Sequence, residues 1–374
     1  MKIGIITWFK YENYGTILQA IALQRYLRNN KFEVELVNFD IDDTINLKKS
    51  NKEKITKRIY YKIAKEIYFF EKKKHKEEFN KKTYDFKNII EKNCKISKMV
   101  KNEEDYIGLC NNYDILIFGS DQIWNPNWYN PFYYGNYKKI TTKLIAYAPS
   151  FGVNEIPEDK KQKIKEALKR FDNIALREEQ GCNIVKGLLD VETDIVVDPT
   201  LLLSEKDWEI LEEDLEETKE KYILCYFLSD NPYHWRAAKK FAKKKKMKLI
   251  IIPHDGFSYI ESKYVVRGCN VGNFLSLIHN AQYVITDSFH AIVFSIIYNK
   301  KFIVFERHNP NSKFAQNSRI YNFLKLTDTE KCLVKYNTSE IKESQSLKYN
   351  KESNNISALI EKSKKYLEEN LKEK

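Results

Sequence analysis

The sequence predicts an α/β protein made of two Rossmann-like domains that face each other across a cleft. Short apolar strands alternate with helical segments in both halves of the chain, and this alternation is typical of parallel sheets. The chain has 374 residues, which is enough for two domains of average size. Its composition, 43% hydrophobic and 31% charged, is that of a folded globular protein.

The first half begins with a β/α/β unit. Ile17, Ile21 and Leu27 lie on one side of a predicted helix at residues 16–28, as in a packed helix. The strands predicted on either side of it and further along are short, apolar and rich in β-branched residues. They are residues 3–7, 34–39, 114–118, 143–147, 173–176 and 194–197.

The second half repeats the pattern after a polar, acidic stretch at residues 205–220, where we expect the boundary. Its predicted strands are 222–228, 248–252, 283–286 and 302–305, and its predicted helices are 233–245, 273–280, 288–298 and 354–371. The predicted domains are therefore residues 1–205 and 206–374. The C-terminal helix is assigned to the second domain.

A basic helical insertion is predicted within the first domain, at about residues 42–100. Residues 48–82 contain 14 Lys or Arg against 5 Glu, out of a net charge of +12 for the chain. Ile55, Ile59, Ile63 and Ile67 recur every four residues and form one stripe on a helix. The stripe either docks the insertion on its domain or belongs to a basic amphipathic surface that rests on anionic lipid or an acidic glycan. No nucleic-acid partner is expected, because the segment lacks a known nucleic-acid-binding motif.

Cysteine usage and missing motifs narrow the class of protein. The six cysteines form no CxxC pair or zinc-finger spacing, so we expect reduced thiols in a cytoplasmic protein. No GxGxxG follows the first strand, no GxxxxGK[ST] occurs, and no compact group of residues has metal-ligand spacing. We expect no cofactor and no metal. No apolar run approaches the roughly 20 residues that span a bilayer.

The loops after the strands are where an α/β protein binds ligands. Asn13, Tyr14 and Gly15 precede a helix N-terminus, which suits either an anion or an ordinary turn with a helix cap. In the loop at residues 119–126, Trp124 is placed to stack on a sugar or to pack in a core. Asp121 in that loop is a candidate catalytic carboxylate or a helix cap.

Charged residues follow later strands. Arg177 comes where a strand becomes a helix, which suits a phosphate or carboxylate, or an ion pair with the glutamates beside it. His290 falls in the first turn of a helix, shortly after Asp287. Arg307 and Arg319 lie downstream of a strand, where they add positive charge to the site or form surface ion pairs.

Seven stretches in order together resemble the polysaccharide pyruvyl transferase family. They are Asn13-Tyr-Gly15 with Leu18-Gln19, Gly119-Ser-Asp-Gln-Ile-Trp-Asn-Pro126, residues 147–152, Arg177-Glu-Glu179, Asp198-Pro-Thr-Leu201, Thr286-Asp-Ser-Phe-His290 and Asn317-Ser-Arg319. The resemblance implies a GT-B-like fold. It also implies transfer of pyruvate from phosphoenolpyruvate onto two hydroxyls of a sugar, as a ketal, in a cell-surface polysaccharide or its lipid-linked precursor.

The resemblance also suggests roles for individual residues. Arg177 matches an arginine thought to hold the donor, and His290 matches an essential histidine, either a general acid or a phosphate ligand. The expected catalytic residues are His290, Asp121 and Asp287. The expected donor-binding residues are Arg177, Ser288, Arg307, Arg319, Asn13 and Gly15. The expected acceptor-binding residues are Gln122, Trp124, Asn125 and Tyr14.

One position departs from the family pattern. Some members carry Arg where this chain has Ser288, so Arg307, Arg319 or Arg267 must supply that charge, or the donor binds differently. Two alternatives stay open: a GT-B-type glycosyltransferase that uses a nucleotide-sugar, and a non-catalytic protein that acts through its basic surface. The enzyme is expected in the cytoplasm. A further hypothesis is that its basic helix makes peripheral contact with the inner face of the membrane.

Overall fold

The chain folds into two compact units. The computed structural model describes residues 1–40, 55–310, 317–349 and 354–372. The first unit comprises Met1–Leu47, Asn88–Leu203 and Asn354–Lys374, and the second comprises Lys48–Lys87 and Ser204–Ser353. The prediction of two parallel-sheet α/β domains is confirmed.

The first unit contains a six-stranded sheet in the order β2-β1-β3-β4-β5-β6, and every neighbouring pair is parallel. Its strands are β1 (Lys2–Ile6), β2 (Glu33–Leu36), β3 (Ile115–Phe118), β4 (Lys143–Tyr147), β5 (Asn173–Leu176) and β6 (Asp194–Ile195). Its helices are α1 (Tyr14–Asn29), α4 (Glu103–Cys110), α5 (Glu158–Leu168), α6 (Glu179–Leu189) and α12 (Asn354–Asn370). All four residues of β3 are buried, as expected for a central parallel strand covered on both faces.

The second unit contains another parallel six-stranded sheet, in the order β12-β11-β10-β7-β8-β9. Its strands are β7 (Tyr222–Tyr226), β8 (Lys248–Ile251), β9 (Tyr264–Val265), β10 (Tyr283–Thr286), β11 (Lys301–Phe305) and β12 (Leu333–Val334). Its helices are α2 (Ile55–Lys74), α7 (Glu205–Glu209), α8 (Pro232–Lys245), α9 (Val271–Asn280), α10 (Phe289–Ile297) and α11 (Ser318–Leu326). Helix α3 (Lys76–Asn93) runs from the second unit into the first.

The C-terminal helix differs from the sequence prediction. The chain passes from the first unit to the second after Leu203, close to the predicted boundary, but α12 belongs to the first unit. The hydroxyl of Tyr366 donates to the carbonyl oxygen of Ala146 on β4 at 3.0 Å. The hydroxyl of Ser363 accepts from the Val197 N–H at 2.9 Å, and Leu367 is 1% exposed. These contacts attach α12 to the β4–β6 side of the first sheet.

The basic insertion also differs from its prediction. Its first helix, α2, belongs to the second unit rather than to the first. The isoleucine stripe does not dock it, because Ile59 and Ile63 are 56% and 48% exposed. Ala64 and Glu71 face inward instead. The side chain of Ile55 lies outside the described residues. None of the helices described is both long and apolar enough to cross a membrane.

We predict that Leu367→Ala lowers the free energy of unfolding of the first unit by about 2–4 kcal/mol, because it leaves a cavity where α12 packs. Urea unfolding followed by circular dichroism measures the change. Glu369→Ala, on the exposed side of the same helix, is the matched control and should change stability by less than about 0.5 kcal/mol. Equal effects of the two substitutions would contradict the packing of α12 described here.

Candidate functional site

The loop after β3 is held rigidly at the carboxyl edge of the first sheet. Gly119 has a φ of 126°, and a Cβ there would collide with the carbonyl oxygen of Tyr147, so only glycine fits. The carbonyl oxygen of Asp121 accepts from the Ser150 N–H at 2.8 Å, which joins this loop to the one after β4. The backbone of residues 119–126, which carries the polar side chains of this loop, is therefore fixed by these contacts.

The Asp121 carboxylate is engaged within the protein. One oxygen accepts from the Thr16 hydroxyl at 2.8 Å, and the other accepts from the Gln122 N–H at 2.9 Å. The residue is 8% exposed. Because both oxygens already accept hydrogen bonds, the geometry favours a positioning role for Asp121 over the expected catalytic one.

Arg177 forms a buried ion pair at the same edge. Its guanidinium donates to Asp198 at 2.6 Å, and the two side chains are 3% and 0% exposed. Burial disfavours the charged guanidinium, but the carboxylates of Asp198, Asp121 and Glu178 outweigh it and raise the pKa of Arg177 above its ordinary value. The ion pair that the structure shows is with Asp198, which was not connected with Arg177 from the sequence, whereas the adjacent Glu178 acts on Arg177 through its charge.

Three of the expected acceptor residues lie inside the protein. Trp124 is 0% exposed, its indole N–H donates to the Tyr133 carbonyl at 3.0 Å, and its ring stacks on Tyr134. Asn125, also 0% exposed, accepts from the Asn127 N–H at 3.0 Å. Tyr14 is 3% exposed. We correct their expected role, because side chains with so little accessible surface support the loop instead of contacting an acceptor.

The residues around the start of α1 act mainly as a helix cap. The side chain of Asn13 accepts from the Thr16 N–H at 3.2 Å, and Gly15 is buried in the first turn. Gln122 is 5% exposed and accepts from the Asn125 side chain at 3.3 Å. The alternative of an ordinary turn and cap therefore describes Asn13 in this structure.

A group of partly exposed aromatic rings lies beside this loop. Trp8, Tyr11 and Trp128, here called the aromatic group, follow β1 and β3. The Trp8 ring lies 5.8 Å from that of Tyr11 and 5.9 Å from that of Trp128 between centroids. Tyr11 is 56% exposed and Trp128 is 36% exposed. This group was not predicted from the sequence, because its three residues lie outside the motif that contains Trp124.

The loops after β7, β8, β10 and β11, here called the second-sheet edge, bring charged residues together. Asp287 is 1% exposed and accepts from the N–H groups of Leu228 and Ser229 at 2.7 and 3.0 Å. Burial raises the pKa of Asp287, although the positive charge of Arg307 opposes that change. The carboxylate of Asp287 therefore fixes the loop after β7 and lies near Arg307.

Ser288 and His290 begin α10. The Ser288 side chain accepts from the Ala291 N–H at 3.5 Å, and the Ser288 N–H donates to the Thr286 hydroxyl at 3.0 Å. Ser288 is thus the helix cap. His290 is partly exposed in the first turn that this cap fixes.

Arg307 is the central cation of the second-sheet edge. Its charge acts on Asp287, on Tyr226 and on both His254 and His308. Arg319 also acts on His308. Arg267, by contrast, donates to Glu71 on α2 at 2.7 Å. Arg307, one of the three cations considered as substitutes for an arginine at position 288, therefore acts on Asp287, which directly precedes Ser288 in the same motif.

Two histidines and an aspartate of this edge were not singled out from the sequence. Burial lowers the pKa of His308 to about 4, with help from Arg307 and Arg319. Desolvation by surrounding protein also lowers the pKa of His254, although part of that residue is exposed. Burial, with the neighbouring charges of Asp230 and Asp287, raises the pKa of Asp255 to about 6. The signal that finds them is position, since each follows a strand.

One group of ligand-type side chains lies away from the strand ends. Glu205, Glu209 and His279 each offer one atom within 4.8 Å of the others, which would suit a metal ion. The other ring nitrogen of His279 bonds to Glu212 at 3.0 Å, and this bond raises the pKa of His279. Because these ion pairs account for the group, we assign it to the packing of α7 against α9.

Comparison with known proteins agrees with the motifs at both edges. The model of the polysaccharide pyruvyl transferase family matches residues 13–309, which include Arg177, Asp287 and His290. The chain belongs to the polysaccharide pyruvyl transferase family. This membership shows a transferase that acts on polysaccharide. No curated protein matches the chain.

Solved structures show the fold. The UDP-GlcNAc 2-epimerase of Methanocaldococcus jannaschii is similar with a TM-score of 0.51 and 8% identity, over 98% of this chain and 92% of that chain. The same epimerase in complex with UDP-GlcNAc and UDP gives a TM-score of 0.48 and 12% identity, over 96% and 98%. MurG of Acinetobacter baumannii gives 0.41 and 8%, over 90% and 86%. The first of these similarities, with a TM-score above 0.5, confirms the GT-B-like fold.

We predict that Asp255→Asn changes how the stability of the protein depends on pH. The folded-state pKa of about 6 lies above the ordinary 3.8, so the folded wild type holds this proton more tightly and loses stability as pH rises through this window. The variant lacks that loss. The free energy of unfolding of the variant, relative to that of the wild type, should therefore rise by about 1–2 kcal/mol between pH 4 and pH 7.

Urea unfolding of both proteins at pH 4 and pH 7 measures this difference. Asn keeps an oxygen that can accept from the Ser258 N–H, as Asp255 does at 2.8 Å, so the loop should retain its geometry. A stability difference that is the same at both pH values would show that the carboxyl of Asp255 titrates normally.

Proposed function

We propose that the protein transfers pyruvate from phosphoenolpyruvate onto two hydroxyls of a sugar, forming a ketal in a polysaccharide or in its lipid-linked precursor. Family membership supports pyruvyl transfer. The observation that carries the choice of donor is the position of Arg307 at the second-sheet edge, among Asp287, His254 and His308. Phosphoenolpyruvate carries a phosphate and a carboxylate, and such a ligand needs fixed cations and N–H donors.

Arg307 replaces the cation absent at Ser288. In this proposal its guanidinium binds the donor phosphate, and Arg319 adds positive charge from α11. The N–H groups at the start of α10 supply further donors, since a helix N-terminus favours anions. Arg177 has a different role here: its buried pairing with Asp198 orders the first-sheet loops, so that it acts as a positioning residue.

His290 is the proposed general acid. Of the histidines at this edge, His254 and His308 have lowered pKa values, and they stay neutral near pH 7. Transfer of a proton from the His290 side chain to the methylene carbon of phosphoenolpyruvate creates an oxocarbenium-like centre at the carbon that bears the phosphate. Asp287, whose oxygens accept from backbone N–H groups, keeps the loop before His290 in place rather than taking part in proton transfer.

The remaining steps form two C–O bonds and break one. One sugar hydroxyl attacks the cationic carbon, and its proton passes to His290. This replaces the proton that His290 gave to the methylene carbon. A second hydroxyl then replaces phosphate at the same carbon and closes the ring, and its proton leaves with inorganic phosphate. Arg307 and Arg319 stabilise the negative charge on the departing phosphate. The sum is donor plus diol to ketal plus phosphate, with no oxidation or reduction.

The aromatic group is the proposed acceptor platform. The faces of sugar rings carry C–H groups that pack on aromatic rings, and Tyr11 and Trp128 offer such surface at the carboxyl edge of the first sheet. This assignment replaces Trp124, which is buried. It leaves Gln122 and Asn125 as the residues that hold the loop behind the platform.

We predict that Arg307→Gln weakens phosphoenolpyruvate binding at least about tenfold, because one charge-assisted contact contributes about 1.5–3 kcal/mol. Calorimetry with the purified protein measures the dissociation constant. His290→Gln should keep most of the binding and stop the release of phosphate in the presence of an acceptor extract. Arg236→Gln, at an exposed arginine of α8, is the control for lost charge.

The outcomes separate the alternatives. Wild-type binding of a UDP-sugar without binding of phosphoenolpyruvate would replace the proposal with a glycosyltransferase. Binding of phosphoenolpyruvate that is unchanged in Arg307→Gln would move the donor site away from the second-sheet edge. Loss of binding in Arg236→Gln as well would show that overall charge, rather than position, governs the interaction.

We predict that Trp128→Ala raises the KM for the acceptor about 3–10-fold while the KM for phosphoenolpyruvate stays the same, because a lost ring contact weakens acceptor binding only. Initial rates of phosphate release with each substrate varied in turn measure both constants. Tyr233→Ala removes a ring of similar exposure, 42%, from α8 and should change neither constant. A rise in the donor KM with Trp128→Ala would argue against an acceptor platform.

A further inference from the structure

Helix α2 has one face that packs on the second unit. Ala64 lies against Gly256 so closely that a Cβ on Gly256 would collide with the Ala64 backbone carbonyl. The Tyr68 ring lies 6.1 Å from the Tyr259 ring, and Glu71 pairs with Arg267 at 2.7 Å. This face holds the helix in place, and the rest of the helix is turned away from it.

The opposite face of α2 is apolar and exposed. Ile59, Ile63 and Phe70 are 56%, 48% and 62% exposed, and they lie within about 40° of one another around the helix axis. Six of the 14 exposed large hydrophobic residues in the described chain fall within this one helix. Three of the six, Ile59, Ile63 and Phe70, form this face, whereas Tyr61 and Tyr68 lie on the packing side. Single exposed apolar residues are ordinary, but such clustering marks a surface that contacts another body.

Lysines border this apolar strip on both sides. Helical geometry places Lys62 and Lys73 along one side of it and Lys74 along the other, and all three are exposed. Across the helix, seven basic residues stand against two acidic ones: Glu71, which pairs with Arg267, and Glu66, which is exposed at the edge of the apolar strip beside Ile59. The face defined by Ile59, Ile63, Phe70 and these lysines is here called the outer face of α2.

We propose that the outer face of α2 binds the surface of an anionic phospholipid bilayer. The helix lies flat, with the isoleucines and Phe70 inserted among the acyl chains and the lysine ammonium groups at the lipid phosphates. The positive charge of the lysines is complementary to the negative charge of an anionic lipid surface, and the apolar strip fits its acyl chains. A soluble acidic glycan would pair with the lysines but would leave the apolar strip exposed to water. The inference does not rest on the proposed function, since it concerns a face without catalytic residues.

Vesicle co-sedimentation in the absence of any substrate tests the proposal. The full chain should bind vesicles of phosphatidylcholine with one third phosphatidylglycerol, and it should bind pure phosphatidylcholine far more weakly. Added salt should weaken the binding, because it screens the charges. Equal binding to both kinds of vesicle, or binding to neither, would overturn the proposal.

Two sets of variants separate charge from apolar insertion. The triple change Lys62→Gln, Lys73→Gln and Lys74→Gln should reduce binding at least about tenfold, whereas Lys240→Gln, Lys243→Gln and Lys244→Gln on α8 should not. The triple change Ile59→Ser, Ile63→Ser and Phe70→Ser should also reduce it strongly. Its control is Ile210→Ser with Ile260→Ser, at isolated residues that are 76% and 60% exposed.

A depth measurement distinguishes insertion from attachment by charge alone. The fluorescence that Phe70→Trp adds to that of the five native tryptophans should be quenched by lipids brominated on the acyl chains, and the fluorescence that Tyr233→Trp adds on α8 should not. Thermal unfolding of each variant, compared with the parent protein, checks that the fold is intact. Binding to a soluble polyanion with no quenching in vesicles would favour an acidic glycan and overturn the proposal.

Discussion

Parallel pairing of every neighbouring strand in both sheets is the constraint on which the candidate sites depend. A parallel strand needs a crossover connection before the next strand, so the loops that follow the strands all emerge at one edge. In the second unit this brings Asp287, His254 and Arg307 together, although more than 50 residues separate His254 from Arg307 in the chain. Such a grouping needs no local motif, since the sheet itself supplies the proximity.

Buried charge plays different roles at the two edges. At the first, the Arg177–Asp198 pair is almost fully enclosed and joins loops after β5 and β6, so removing one partner would leave an uncompensated charge in the protein. At the second, Arg307 is partly exposed and acts both on the buried Asp287 and on His254 and His308, which are at least partly exposed. A site that admits a small anion needs a partly exposed cation such as Arg307. The enclosed pair at the first edge contributes rigidity to the loops around it.

The sequence predicted the strands well because short apolar runs in a parallel sheet are buried on both faces, as Ile115–Phe118 illustrates. It also predicted that Arg177, Asp287 and His290 follow strands, which places them at the carboxyl edges of the two sheets. It could not predict that Trp124 is enclosed, because a tryptophan in a polar loop has the same local signal whether it packs or binds. Whether the isoleucine stripe of α2 docks or forms an exposed surface stayed open in the sequence, since a period of four residues identifies a face without identifying what lies against it. The placement of α12 likewise depends on contacts with β4, such as that of Tyr366 with Ala146, 220 residues away in the chain.

The return of α12 to the first unit affects the order in which the protein can fold during synthesis. Domains near the N-terminus usually fold while the rest of the chain is still being made. Here the β4–β6 side of the first sheet stays uncovered until α12 leaves the ribosome, after the whole second unit has been translated. At about 5–20 residues per second, the roughly 150 residues between Leu203 and α12 mean a delay of several seconds to half a minute. During that interval the apolar surface that Leu367 later covers is open to chaperones.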